Sequence, residues 1–278
     1  MSENPFLISG PALVSFSGGR TSGYMLHEIM RAHGGTLPDD VKVCFANTGK
    51  EREKTLLFVH ECGSRWGVHI HWVEWCNAKP CFKETEYNSA SRAGEPFDAI
   101  IAKKGYLPNA LTRFCTSELK IRAMRDFARS LGWTAWTNVV GLRYDEGHRV
   151  LKAIDRSESG KDPWRVIMPL SKAKITLRHI SEFWARQDFD LQLLPHEGNC
   201  DLCFLKGAAK LREIMRNRPH LASWWIAHEA ERRSPFRKYG EANYAALMGQ
   251  VNDQYFLPLG QNEDEHDVEC GLLCGDAA

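Results

Sequence analysis

The stretch at residues 12–30 constrains this chain more than any other. Ala12 to Phe16 form an apolar run, Ser17-Gly18-Gly19 follow, and Tyr24, Met25, Ile29 and Met30 then recur at helical spacing. The pattern predicts a short buried strand, a glycine turn and a helix. That geometry aims backbone N–H groups and the positive end of a helix dipole at one point, where an anion can sit. Gly18 and Gly19 allow close backbone approach to an oxyanion, Ser17, Thr21 and Ser22 add hydroxyls, and Arg20 adds a guanidinium. The Gly-Lys-[Ser/Thr] ending of a Walker A loop is absent. On this segment alone, an ordinary capped strand-to-helix turn explains the residues equally well.

The same alternation continues downstream. Residues 41–46 (VKVCFA), 69–75 (HIHWVEW) and 136–141 (WTNVVG) read as strands, and residues 53–66, 116–131 and 175–187 as helices. Residues 77–96 are polar and read as a loop. Strands alternating with helices predict an α/β fold, a parallel sheet with helices on both faces. Ligands in such sheets bind beyond the carboxyl ends of the strands. The opening loop, Asn47-Thr48-Gly49 and Gly141-Leu142-Arg143 all follow strands and should converge there. The expected organisation is an α/β domain over residues 1–195, a cysteine-pair and helical region over 196–262, and a flexible tail over 263–278. Basic helices are expected at 206–216 and 219–233, the latter with Trp224, Trp225 and His228. Arg232, Arg233, Arg237 and Lys238 concentrate positive charge beside these aromatics; a solvated face around a tryptophan core is favoured over a nucleic-acid surface.

Charge and cysteine content narrow the class. Thirty-six Lys and Arg against 35 Asp and Glu give a net charge of +1, against a bulk nucleic-acid footprint. No apolar run is long enough to span a membrane, and the first ten residues lack signal-peptide character, so a cytoplasmic protein is expected. Nine cysteines in such a chain point to metal or redox chemistry rather than to a disulfide framework. Cys44 and Cys62 fall inside a strand and a helix and read as small core residues, and a second metal site at Cys76 and Cys81 is not favoured.

Three motifs carry a resemblance. SFSGGRTS resembles the SGGxDS loop of the PP-loop adenine nucleotide α-hydrolase superfamily, with Thr21 where many ATP-cleaving members carry Asp. Asn47-Thr48-Gly49-Lys50-Glu51 resembles the (D/N)TGxE segment, and Gly141-Leu142-Arg143-Tyr144-Asp145-Glu146 with Arg149 the GxRxDE…R segment, of the phosphoadenosine/adenosine phosphosulfate reductase family. The resemblance implies a Rossmann-like PP-loop domain with an adenine nucleotide as substrate: adenylyl sulfate, its 3′-phosphate form, or ATP. Asn47 and Thr48 can hydrogen-bond adenine or ribose, Lys50 and Arg52 would sit near the anion, and Arg143 can grip phosphate or sulfate bidentately. Asp145 and Glu146 read as a solvated acidic turn, with Arg149 able to pair with Glu146. Residues 161–169 resemble the family's basic loop leading into its next helix.

Cys115 precedes the 116–131 helix, where the dipole and free N–H groups favour a thiolate. Cys200-Asp201-Leu202-Cys203 is a C-x-x-C turn whose sulfurs can face one metal. Zinc fits the spacing alone. The resemblance to the cluster-bearing reductases, which carry a tandem Cys-Cys and then C-x-x-C, implies instead a 4Fe-4S cluster on Cys115, Cys200 and Cys203, with Phe114 in place of the tandem's first cysteine. The fourth ligand would be Cys274, the substrate or an exogenous thiol. In the tail, Glu269-Cys270-Gly271-Leu272 resembles the ECGLH string of assimilatory reductases. It implies that Cys270 is the nucleophile that forms a thiosulfonate and meets a thioredoxin-like reductant. Leu273 replaces the histidine there, and Cys274 follows as a resolving thiol or cluster ligand. The alternatives are an ATP-dependent 4Fe-4S enzyme inserting sulfur into a nucleic acid or small molecule, and a zinc-stabilised nucleotide-binding module without chemistry.

Overall fold

The computed structural model describes residues 4–194 and 196–252. Cys270 and Cys274, with the whole 263–278 tail, lie outside the described residues. The fold is α/β, with a six-stranded sheet in the order β4-β3-β2-β1-β5-β6. The strands are β1 (Ala12–Ser15), β2 (Val41–Asn47), β3 (Ile70–Glu74), β4 (Lys83–Thr85), β5 (Trp136–Val139) and β6 (Trp164–Ile167). All neighbours pair in parallel except β3 and β4. The chain moves outward from β1 through β2 and β3 on one side, then returns to place β5 and β6 on the other. The switch point therefore lies between β1 and β5, where open α/β sheets form a ligand crevice.

Strand parity explains how both faces come to be covered. Val14, Phe16, Val43 and Phe45 enter one buried cluster, while Leu13, Cys44 and Ala46 enter the other. The first cluster is closed by α1 (Arg20–Ala32), α2 (Glu53–Trp66) and α8 (Leu177–Trp184), which contribute Met25, Ile29, Phe58, Val59, Ile180 and Trp184. The second takes Phe97 and Ile101 from α3 (Glu95–Lys104) and Phe127 from α5 (Ala123–Ser130). It also takes Leu211 from α9 (Ala208–Asn217), Trp225 from α10 (Ala222–Arg232) and Tyr244 from α11 (Tyr244–Asn252). Leu13 and Trp225 thus share one core, and the C-terminal helices are packed onto the sheet's second face.

Several elements differ from the sequence reading. The 77–96 loop carries edge strand β4, whose residues KET are mostly exposed and have no apolar alternation. Residues 161–169 carry β6, with Arg165 exposed between Trp164 and Val166. Helices α3 and α6 (Gly147–Glu158) have no counterpart in the sequence pattern; α6 buries only Ala153, too little for an apolar stripe. The expected 116–131 helix is broken into α4 (Phe114–Thr116), a π-helical segment (Ser117–Arg122) and α5. The short α7 (Pro169–Lys172) precedes α8. Among the described residues, no helix is long and apolar enough to cross a membrane.

Candidate functional site

The turn between β1 and α1 is braced by its own side chains. Gly18 has φ of +79°, and a Cβ there would lie 2.7 Å from Thr55 Cγ2, so conformation and space both require glycine. Gly19 is the N-cap of α1 in extended conformation, φ −100°. Ser22 Oγ donates to the Gly19 carbonyl at 2.9 Å and accepts the Gly19 N–H at 3.2 Å and the Ser17 hydroxyl at 2.9 Å. Ser17 and Ser22 therefore hold the turn together rather than standing open to a ligand. Arg20 forms a two-point ion pair with Asp190, with Nε 2.7 Å from Oδ1. Burial raises the Asp190 carboxyl, but the Arg20 guanidinium together with the Gln192 and Leu191 backbone N–H groups outweighs it and holds the group below its ordinary value.

Across the switch point, the loop after β5 presents Arg143. Its N–H donates to Glu146 Oε2 at 2.9 Å, its Nε to Asp145 Oδ1 at 3.0 Å, and its Nη1 to Thr21 Oγ1 at 3.1 Å. Asp145 also accepts the Leu177 N–H at 3.1 Å, and Glu146 pairs with Arg149 as expected. The acidic turn orients Arg143 and ties it to α8, while Asp145 itself remains exposed, as a solvated turn would have it. Thr21 and Arg143, 122 residues apart, meet in space.

The loop after β2 behaves differently. Asn47 is fully buried; its Nδ2 donates to Glu74 Oε1 at 2.6 Å and to the Ser91 carbonyl at 2.9 Å, and its Oδ1 accepts the Gly49 N–H at 3.1 Å. Thr48 gives its N–H to Glu51 at 2.8 Å and its hydroxyl to the same carboxylate at 2.9 Å. Lys50 is in a buried ion pair with Asp201 at 2.9 Å and lies over the Trp224 ring, 4.8 Å from its centroid. Arg52 pairs with Glu197 at 2.8 Å. Asn47, Thr48, Lys50 and Arg52, expected beside a ligand, contact Glu74, Glu51, Asp201 and Glu197 in this structure, and Arg52 Nη1 is buried without a partner.

The C-x-x-C turn is joined directly to this loop. Glu51 and Cys200 form an antiparallel bridge, flanked by Arg52 N–H to the Asn199 carbonyl at 2.7 Å and Asp201 N–H to the Lys50 carbonyl at 2.9 Å. Asn199 Nδ2 continues to the Ser17 carbonyl at 2.9 Å, on the β1 loop. A cavity of about 590 Å³ opens here, lined among others by Arg20, Thr21, Lys120, Arg143, Cys200 and Cys203. Its size suits a nucleotide-sized ligand. Lys206, Lys210 and Lys238 line it as well, and on another side Leu177, Leu191 and Leu193 do. Ser17, Gly18, Gly19, Ser22, Asn47, Thr48, Gly49, Lys50 and Cys115 do not line it.

Cys115 lies in α4, next to the π-helical segment that supplies Lys120, 3.3 Å from Glu51. Among the described residues, no three His, Cys, Asp or Glu side chains are gathered closely enough to hold a metal ion. Cys115, Cys200 and Cys203 are thus not drawn into one ligand set there. Cys44 and Cys62 are buried core residues, and burial pushes both thiols up. Sequence reasoning missed Lys120, Lys206 and Lys210 as cavity residues. Each sits in an otherwise ordinary helical or basic pattern, and a π-helical segment, frequent near functional sites, has no sequence signature of its own.

No family model matches the sequence. The chain is similar to the uncharacterized nin region protein ORF290 of Escherichia phage lambda, 29% identical over 210 residues that cover 72% of this chain and 67% of that protein.

Proposed function

We propose that the chain is an adenine-nucleotide-dependent enzyme of sulfur metabolism, resembling the phosphoadenosine/adenosine phosphosulfate reductases and acting in the cytoplasm. One observation carries this reading: Thr21 and Arg143 touch at the switch point, and the Cys200 turn is hydrogen-bonded to the β1 loop through Asn199. An anion gripped by Arg143 would then share its cavity with two thiols. In the proposed reaction the Cys270 thiolate attacks the sulfur of adenylyl sulfate or its 3′-phosphate form. A sulfur–sulfur bond forms, the sulfur–oxygen bond to the phosphate breaks, and AMP, or its 3′-phosphate, leaves with the electron pair. A dithiol reductant of the thioredoxin kind supplies two electrons, sulfite departs, and the reductant becomes a disulfide.

A 4Fe-4S cluster on Cys115, Cys200 and Cys203, with Cys274 as fourth ligand, belongs to the same proposal. The described residues do not assemble the set, so no step is assigned to it. Anaerobically purified protein should hold about four iron and four sulfide per chain, reduced by Cys200→Ala; stoichiometric zinc in colourless, active protein removes the cluster from the proposal.

The direct test incubates the protein without oxygen or reductant with adenylyl sulfate, its 3′-phosphate form, or ATP. One sulfonate on Cys270 and one nucleotide released per chain are expected, and Cys270→Ser should stop the release while keeping nucleotide binding. Release that persists in Cys270→Ser overturns the assignment. A second reading, ATP-dependent sulfur insertion into a nucleic acid or small molecule, is favoured by Lys206, Lys210 and Lys238 on the cavity wall. It calls for ATP split to AMP and pyrophosphate, with no protein sulfonate.

A further inference from the structure

Asp201 stands between the two cysteines of the C-x-x-C turn, yet it points away from solvent. Only 5% of the residue is exposed, and its carboxylate takes three contacts: Lys50 Nζ at 2.9 Å, Trp225 Nε1 at 3.0 Å and the Leu202 N–H at 2.6 Å. Each comes from a different place. Lys50 belongs to the loop after β2, Trp225 to α10, and Leu202 to the turn itself. Cys200 and Cys203, on either side, instead line the cavity and are partly exposed. The alternation puts the thiols on one side of the turn and the carboxylate in the protein interior. The backbone pairing of 199–201 with 50–52 adds hydrogen bonds at both flanks.

A buried ion pair is an expensive way to hold a loop, since both charges lose hydration and a pair of apolar residues would serve stability as well or better. Its distinctive property is directional: a carboxylate with three donors from three elements fixes the register of the turn. We propose that Asp201, through Lys50, is the positioning residue that sets the Cys200 and Cys203 thiols against the cavity beside the β1 loop. The ion pair limits local opening of the turn, and so limits when and in which orientation the thiols meet a reagent. This goes beyond the nucleotide reading and is tested without a nucleotide, so either can fail while the other stands.

The test uses the full chain, freed of metal by chelation and kept reduced. Iodoacetamide labelling of Cys200 and Cys203 is read by peptide mass spectrometry relative to Cys76, which lies in a separate loop. The main variant is Lys50→Met with Asp201→Asn, which leaves no buried charge unpaired and keeps an acceptor for Trp225 and Leu202. Its labelling ratio should change by about tenfold or more, as expected when a charge-assisted latch no longer opposes local opening. Trp225→Phe removes only the Nε1 donor and should change the ratio in the same direction by less. Val59→Ala, a core truncation on the other face of the sheet, should destabilise the protein and leave the ratio unaltered. A ratio within about twofold of wild type in both folded latch variants overturns the proposal. So does an equal change in Val59→Ala, which would make the effect one of general stability. As a second arm, AMP should slow labelling in the wild-type protein if the nucleotide shares the cavity. Failure of that arm alone counts against the nucleotide reading and leaves the latch intact.

Discussion

The loop after β2 and the loops after β1 and β5 leave the same edge of one largely parallel sheet, and carboxylates hold cations in both, but only the latter bring theirs to the wall of the cavity. After β2, Asn47, Thr48, Lys50 and Arg52 are all buried and each meets a carboxylate of the protein, with Arg52 Nη1 left buried without a partner. After β1 and β5, Thr21 and Arg143 meet on the wall of a cavity, with Arg20 beside them. The difference teaches that a motif at a strand end fixes where a group lies, while distant acidic residues decide whether it remains available. The β2 loop is hydrogen-bonded to the C-x-x-C turn, and the β1–β5 crevice is the part to which we assign the anion in our proposal.

The strongest way to break this comparison is to attack the scaffold side. Glu74 has no exposed surface and accepts from Asn47 Nδ2 at 2.6 Å, from the Ser91 N–H at 2.6 Å and from the Ser91 hydroxyl at 2.8 Å, with Lys83 Nζ 3.0 Å away. Glu74→Ala leaves the buried Asn47 amide and the part-buried Ser91 N–H and hydroxyl without this acceptor and should cost about 2–4 kcal/mol in denaturant unfolding. Nucleotide affinity of the fraction that stays folded should be unchanged. A large affinity loss with little loss of stability would place the β2 loop in the ligand site after all.

The receiving side predicts the reverse pattern. Arg143→Ala should weaken AMP or adenylyl sulfate binding about 10- to 100-fold by calorimetry, the range for a lost charge-assisted contact. Its ion pair with Asp145 is partly exposed and should cost stability less than about 1 kcal/mol. Thr21→Val keeps the shape and removes only the hydroxyl that accepts from Arg143. It should weaken binding about 2- to 10-fold, the net worth of one hydrogen bond. Equal effects from Thr21→Val and Arg143→Ala would mean that the hydroxyl contacts the ligand itself.

Much of this architecture was legible because it depends on local pattern. The 53–66 helix has the predicted bounds, and the central strands were visible as apolar runs because both of their faces are covered. Strands β4 and β6 were not visible, being short edge strands stabilised by a neighbour instead of by their own alternation. At the site, Thr21, Arg143, Cys200 and Cys203 could be named from motifs, and all four line the cavity. What could not be read was availability. Lys50 is taken by Asp201, 151 positions away, and Arg52 by Glu197, 145 positions away, pairings that exist only once the chain is folded. Lys120 likewise reaches the cavity from a π-helical segment that a regular helical pattern conceals.

The smallest effect sharpens the comparison most, because it concerns a carboxylate on the open side. Asp190 holds Arg20 much as Asp201 holds Lys50, but the Arg20–Asp190 side chains are 38% and 30% exposed, against 7% and 6% for the inner pair. Water screens the outer pair, so Asp190→Asn should change stability at neutral pH by no more than about 1 kcal/mol. The pH dependence has a definite sign. Burial raises the Asp190 carboxyl, and Arg20 with the Gln192 and Leu191 backbone N–H groups together lower it by more, leaving it below its ordinary value of 3.8 in the folded protein. The native state then holds that proton less tightly than the unfolded chain, so stability contributed by the pair is present above 3.8 and lost as pH falls through the lower folded value. The stability difference between wild type and Asp190→Asn should be flat from pH 7 down to about 5 and shrink only below the ordinary aspartate range. Release from Asp190 should also let Arg20 lean toward an anion in the cavity, raising AMP affinity by about two- to fivefold, the scale of a single exposed charge contact. If Asp190→Asn instead costs several kcal/mol and lowers affinity, the outer pair is scaffold like the inner one, and the boundary between the two sides of this site must be drawn at Arg143 alone.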